Sequence, residues 1–269
     1  MYHPYADGKY SVAPGLSPLG KDFGHGEMDQ KYFQIDETYP FYREMKFGRV
    51  GGPVCFATYD LDWQTSDHIR DWIHNKVHEE YPDFKELPET LDGTCMNLPE
   101  DVAILKYDDD HDWLAYGCIF FPSGWCVGEK IGKSYREVHE GIPGMKLDRA
   151  EGFVKNIMSK GPFVRFVWSP MFENTLNSHP SIEKKPFDPD NPQLFMKVER
   201  QVTQPFPEKK AMLFLIRSYV LMPEEIQIKP LISALESMTK EQRRYKGIDE
   251  CYDPLLEYLS SLEEKDGSS

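Results

Sequence analysis

The sequence predicts an α+β fold in which an antiparallel sheet carries helices on one side. Two observations predict it. Short runs rich in β-branched and aromatic residues fall into a pair near the middle of the chain and a trio further on. Stretches with apolar residues at helical spacing lie before, between and after those groups.

In chain order, residues 1–26 are rich in Gly, Pro, Tyr and Ser and read as an extended or poorly ordered arm. A single domain is expected over 27–264, with a frayed tail at 265–269. A short helix is expected at 40–49, broken by Gly51-Gly52-Pro53. Ile69, Trp72, Ile73 and Val77 predict a helix over 65–81, with Ser66 or Asp67 as cap and Pro82 as stop. Residues 87–99 read as loop. Val102–Tyr107 and Trp113–Phe121, joined by Asp108-Asp109-Asp110, form an antiparallel hairpin. Ser134 and Glu137 have capping-box spacing ahead of a short helix at 135–140, and Gly141 suits its end. A longer helix over 148–160 places Phe153, Ile157 and Met158 on one side. Strands then follow at 163–168, 194–203 and 211–221, the last two joined by a turn at 205–209. Helices over 223–238 and 254–263 complete the chain.

The 269 residues are 40% hydrophobic and carry a formal charge of -14, enough apolar material for a sizeable core. That acidity argues against nucleic acid or an anionic membrane as partner, because neither is bound without clustered Lys and Arg. It would favour cationic ligands. The longest apolar run, Ala211 to Ile216, is far too short to span a membrane. Met1 to Tyr10 shows no leader pattern, and five scattered cysteines without a CxxC suit a reduced, cytoplasmic protein.

Several blocks are distinctive. They are Phe121-Pro122-Ser123-Gly124-Trp125, Glu129-Lys130-Ile131-Gly132 and Val138-His139-Glu140-Gly141-Ile142-Pro143-Gly144. Arg165-Phe166-Val167-Trp168, Val198-Glu199-Arg200-Gln201, Phe214–Tyr219 and Tyr245-Lys246-Gly247 follow in order, and Pro14–Leu19 stands ahead of them all. Together they resemble the haem-dependent oxidative N-demethylase family. Two positions depart from that pattern: Val167 stands where the family usually has Asn, and Gly141 where it usually has Pro. The resemblance implies a PAS-like sheet enclosing a pocket for haem b, since no CxxCH attachment motif is present. It also implies oxygen-dependent demethylation of a small amine, with electrons from a separate reductase or subunit. A haem-based gas or redox sensor of the same fold is the alternative.

His139 is the sharpest candidate. Tyr135, Val138 and His139 lie at i, i+3 and i+4 of the short helix, between the strand pair and the strand trio, where PAS haem proteins hold their axial histidine. Arg217 and Tyr219 share a strand face with Leu213, Leu215 and Leu221. They either line a distal pocket and polarise bound oxygen or form a structural pair with a buried carboxylate. Arg165 poses the same question beside Phe163 and Val167. Glu199 alternates with Lys197 and Gln201, opposite in facing to Arg200, and reads either as surface or as an acceptor for an amine. Lys130 reads as a propionate contact or an exposed side chain, and Trp125 as packing beside the cofactor. His74 and His78, with Asp71 nearby, read as a solvated helix face.

Overall fold

The computed structural model describes residues 1–13, 15–26, 29–49, 55–85 and 87–266. Pro14, the Gly51-Gly52-Pro53 break and the tail residues 267–269 lie outside the described residues.

Seven strands form one antiparallel sheet: β1 (Ser17–Pro18), β2 (Phe56–Thr58), β3 (Asp101–Tyr107), β4 (Asp112–Cys118), β5 (Phe163–Met171), β6 (Phe195–Phe206) and β7 (Ala211–Leu221). The order is β1-β5-β6-β7-β3-β4-β2, so the five long strands run second, first, fifth, fourth, third. The described helices are α1 (Tyr39–Phe47), α2 (Trp63–Glu80), α3 (Leu91–Met96), α4 (Val127–Lys130), α5 (Tyr135–His139), α6 (Ala150–Ser159), α7 (Ile228–Glu236), α8 (Lys240–Lys246) and α9 (Tyr252–Asp266).

Strand alternation sorts the side chains into two faces. Val102 and Ile104 of β3, Val198 and Val202 of β6, and Leu213 and Leu215 of β7 are essentially inaccessible and point to one face. Against it lie α1, α2, α3, α7 and α9. From α2 the stripe Ile69, Ile73 and Val77 is buried, each side chain contributing about 1.5–3 kcal/mol of burial. The N-terminal segment joins this layer, with Tyr2 and Tyr5 buried against Trp168 and Met196.

The other face carries α4, α5 and α6. The expectation of helices on one side is therefore corrected: they flank both faces. α4 lies directly on β4, where a Cβ at Gly117 would come within 2.3 Å of Val127 Cγ2, a contact only glycine permits. α5 and α6 meet each other through Tyr135, Val154 and Ile157 and stand away from the sheet centre. A hollow is left between these helices and β5–β7.

Some local expectations change. α2 begins earlier, and its cap is Asp62, which accepts from Thr65 N at 2.8 Å. Residues 87–99 contain α3, capped by Thr90. α8 was not anticipated; Thr239 and Gln242 form its capping box. α3 and α8 are short elements fixed by a cap rather than by a long apolar stripe.

Candidate functional site

The hollow is a cavity of about 990 Å³. Its floor is the second face of the sheet: Arg165 and Val167 from β5, Lys197, Glu199 and Gln201 from β6, Phe214 and Ile216 from β7. α5 and α6 wall it with Val138, His139, Phe153 and Ile157.

His139 is positioned by an over-determined short helix. The Ser134 hydroxyl accepts from Glu137 N at 3.3 Å, and the Glu137 carboxylate accepts from Ser134 N at 2.8 Å, as the spacing predicts. Asp112 of β4 accepts from Tyr135 N at 2.5 Å and ties the helix to the sheet. At its end, His139 Nδ1 lies 2.7 Å from the Tyr135 carbonyl, and the two rings are 4.1 Å apart. A carbonyl only accepts, so Nδ1 carries the proton. Burial, reinforced by the charges of Arg165 and Lys130 and opposed by that backbone bond, pushes the His139 pKa down to about 4. The imidazole is neutral at pH 7, with its Nε2 lone pair available.

Gly141 follows with φ +97°, a backbone that proline, fixed near −65°, cannot adopt. A proline at this residue would require a different chain path beside His139. Val167 lines the cavity opposite Glu199 on the neighbouring strand.

Glu199 is buried and faces the cavity. The Ser123 hydroxyl donates to its Oε1, and Gln201 Nε2 donates to Oε2 at 2.7 Å. Lys197 donates to the carbonyls of Phe121, Pro122 and Leu176 at 2.8, 3.0 and 2.7 Å, and burial lowers its pKa to about 8. Lys246 donates to Trp168 O at 2.7 Å and Ser169 Oγ at 2.9 Å, and is likewise lowered by burial to about 8. Lys130 donates to Val138 O at 2.8 Å, joining α4 to α5, and Trp125 lines the cavity while packing on the cluster of Leu114 and Val127.

Arg217 and Tyr219 are elsewhere. Both point to the packed face, away from the cavity that His139 lines. Arg217 NH2 donates to Thr38 Oγ1 at 2.7 Å and pairs with Asp36 at 3.5 Å, over the ring of Tyr42. The Tyr219 hydroxyl donates to Gln34. Convergence of Arg217, Tyr219 and Arg165 on one pocket is thus corrected, because strand parity places Arg217 and Arg165 on opposite faces. The structural-pair reading describes the Arg217 geometry.

A second chamber of about 360 Å³ adjoins the first, sharing His139, Arg165, Val167 and Lys246 with it and closed by the N-terminal segment and His25. Among the described lining residues of the large cavity, seven are Lys or Arg and four are Glu. In a chain of charge -14 this is a local reversal of sign. Sequence reading missed Tyr135, Ser123 and Lys197 as parts of the site. The period-two polar run Lys197, Glu199, Gln201 was the available signal, since a polar strand face lines either water or a cavity.

A deep cavity with a few convergent polar groups and a neutral imidazole in its wall defines this as a cavity-bearing α+β protein. The family model for "haem-dependent oxidative N-demethylase, alpha subunit-like" matches residues 53–256. The chain belongs to that family. Among the described residues no helix is long and apolar enough to cross a membrane.

Proposed function

We propose that this chain is a PAS-like haem-binding subunit that demethylates a small amine with oxygen, using electrons from a partner subunit. The observation that carries this reading is His139, a neutral imidazole fixed through Nδ1 with Nε2 left at the wall of a cavity of about 990 Å³. The donor set fits haem b. The His139 imidazole would ligate the iron, the apolar residues Val138, Ile142, Phe153 and Ile157 would line the porphyrin, and the excess of cations would suit its carboxylates. The strand order, with His139 on a helix between the strand pair and the strand trio, supports the PAS-like reading.

When bound, haem supplies the oxygen and electron chemistry that no side chain here provides. The chain's own residues do the rest. α5 holds the His139 imidazole in one tautomer, in which Nε2 would be free to ligate the iron. Glu199, oriented by Ser123 and Gln201, accepts a proton from the amine. Lys130 holds α4 against α5, and Trp125 lines the cavity. The family's description as an alpha subunit supports a separate electron donor.

The test is titration of purified protein with haemin. His139→Ala is expected to weaken haem retention at least a hundredfold with an unchanged thermal melt. A native haem spectrum in that variant would remove His139 from the iron. Aldehyde release on adding a secondary amine, oxygen and reductant supports the enzyme. Oxygen that binds reversibly without aldehyde replaces it with the sensor reading.

A further inference from the structure

The sheet holds three arginines, and two of them are paired. Arg200 meets Asp29 at 2.8 Å and the carbonyls of Lys31 and Tyr32 at 2.5 and 3.2 Å. Arg217 meets Asp36 and Thr38. Arg165 has no carboxylate within ion-pairing distance among the described residues. Its Nε is buried with no hydrogen-bond partner, as is Nε of the two paired arginines, and the Tyr135 hydroxyl is its polar neighbour. Arg165 is half-buried and lines the cavity.

A buried charge without a partner is costly, and a planar guanidinium is shaped to take a carboxylate through two parallel hydrogen bonds. Glu199 lies on the same face of the neighbouring strand, one diagonal step away, about 7–8 Å between backbones. Its oxygens are held by Ser123 and Gln201 rather than by Arg165. The floor therefore presents a cation and an anion side by side, each open to a ligand.

From this geometry we infer that Arg165 is a carboxylate-binding subsite, filled by a haem propionate or by the carboxylate of an N-alkyl amino acid. The inference rests on the reading of the cavity as a haem and amine site. A zwitterion places its carboxylate on Arg165 and its ammonium on Glu199. A simple dialkylamine leaves Arg165 without an anion, in a cavity already rich in cations.

Two pairs of probes separate the sources. Unloaded protein is titrated with haemin and with haemin dimethyl ester, whose propionates are capped. Haem-loaded protein is titrated with N-methylglycine and with dimethylamine. Arg165→Gln is expected to abolish at least a tenfold preference for the carboxylate-bearing member of one pair. Loss in the first pair identifies the propionate, and loss in the second the substrate. Arg165→Lys, which keeps the charge but loses the fork, should fall between and serves if the Gln variant does not fold. Unchanged preferences in both pairs overturn the inference. If wild-type protein takes up no haemin, the haem reading falls separately. Calorimetry with N-methylglycine on the unloaded protein then decides the carboxylate site, with no heat overturning it.

Discussion

The two faces of the central sheet solve the same problem in opposite ways. Both carry arginine in a β-strand. On the packed face Arg200 and Arg217 have acidic and hydroxyl partners contributed by residues 29–38. That face is closed by helices, and each of its two arginines has a carboxylate partner, although Nε of both and Nη1 of Arg217 make no hydrogen bond. On the cavity face Arg165 has no such partner, and Glu199 is held without being neutralised. Polar groups on a filled face are part of the fold; on a hollow face they are available to a ligand.

The largest expected effect breaks this contrast or confirms it. Arg200→Met strands Asp29 and should cost about 3 kcal/mol or more in denaturant unfolding. Arg165→Met on unloaded protein should change stability by no more than about 1 kcal/mol, and in the stabilising direction, since an unpaired half-buried charge is removed. Equal losses at both positions would abolish the distinction between the faces.

Next comes the chain path beside His139. Gly141→Pro, which restores the usual family residue, should destabilise the protein by about 1–3 kcal/mol because φ there is +97°. Gly141→Ala should cost less. A proline variant as stable as wild type would mean that the loop reaches the family's conformation at little cost.

The smallest effect concerns His25, in the wall of the second chamber. Burial, helped by the neighbouring His3, lowers its pKa to about 4 from an ordinary value near 6.5. Between pH 6.5 and 4 the unfolded chain binds the proton that the folded chain refuses, so stability falls as pH drops through that window. His25→Phe should remove that part of the acid loss, less than about 2 kcal/mol after solvent screening. An identical pH profile for the variant would show that the chamber does not desolvate the ring.

Much of this contrast was legible in the sequence. Alternation put Arg200 with Val198 and Val202, Arg217 with Leu213 and Leu215, and Glu199 with Lys197 and Gln201, and the pairing keeps each of those groups. Parity does not reveal which face is filled. A strand face of leucines beside an arginine admits either a pocket or a structural pair, and leucines are what a helix layer packs against. Lys197 and Gln201 were grouped with a surface reading of Glu199, although a polar run inside a sheet also fits a cavity. The cap of α2 and the existence of α3 and α8 were hidden for a different reason. Each depends on one side-chain-to-backbone bond, from Asp62, Thr90 or Thr239, among several residues of equal capping chemistry nearby.

Lys197 has a consequence of its own. Its ammonium is held by three carbonyl oxygens, so all three protons are committed and no bound anion reaches them. At neutral pH, below its pKa of about 8, the charge still projects a field into the cavity, as an electrode insulated from the solution. Mobile ions screen exposed lysines such as Lys184 and Lys185 but not a charge sealed behind backbone dipoles. Part of the cavity's attraction for anions should therefore persist at high ionic strength, when the attraction of its mouth has been screened away.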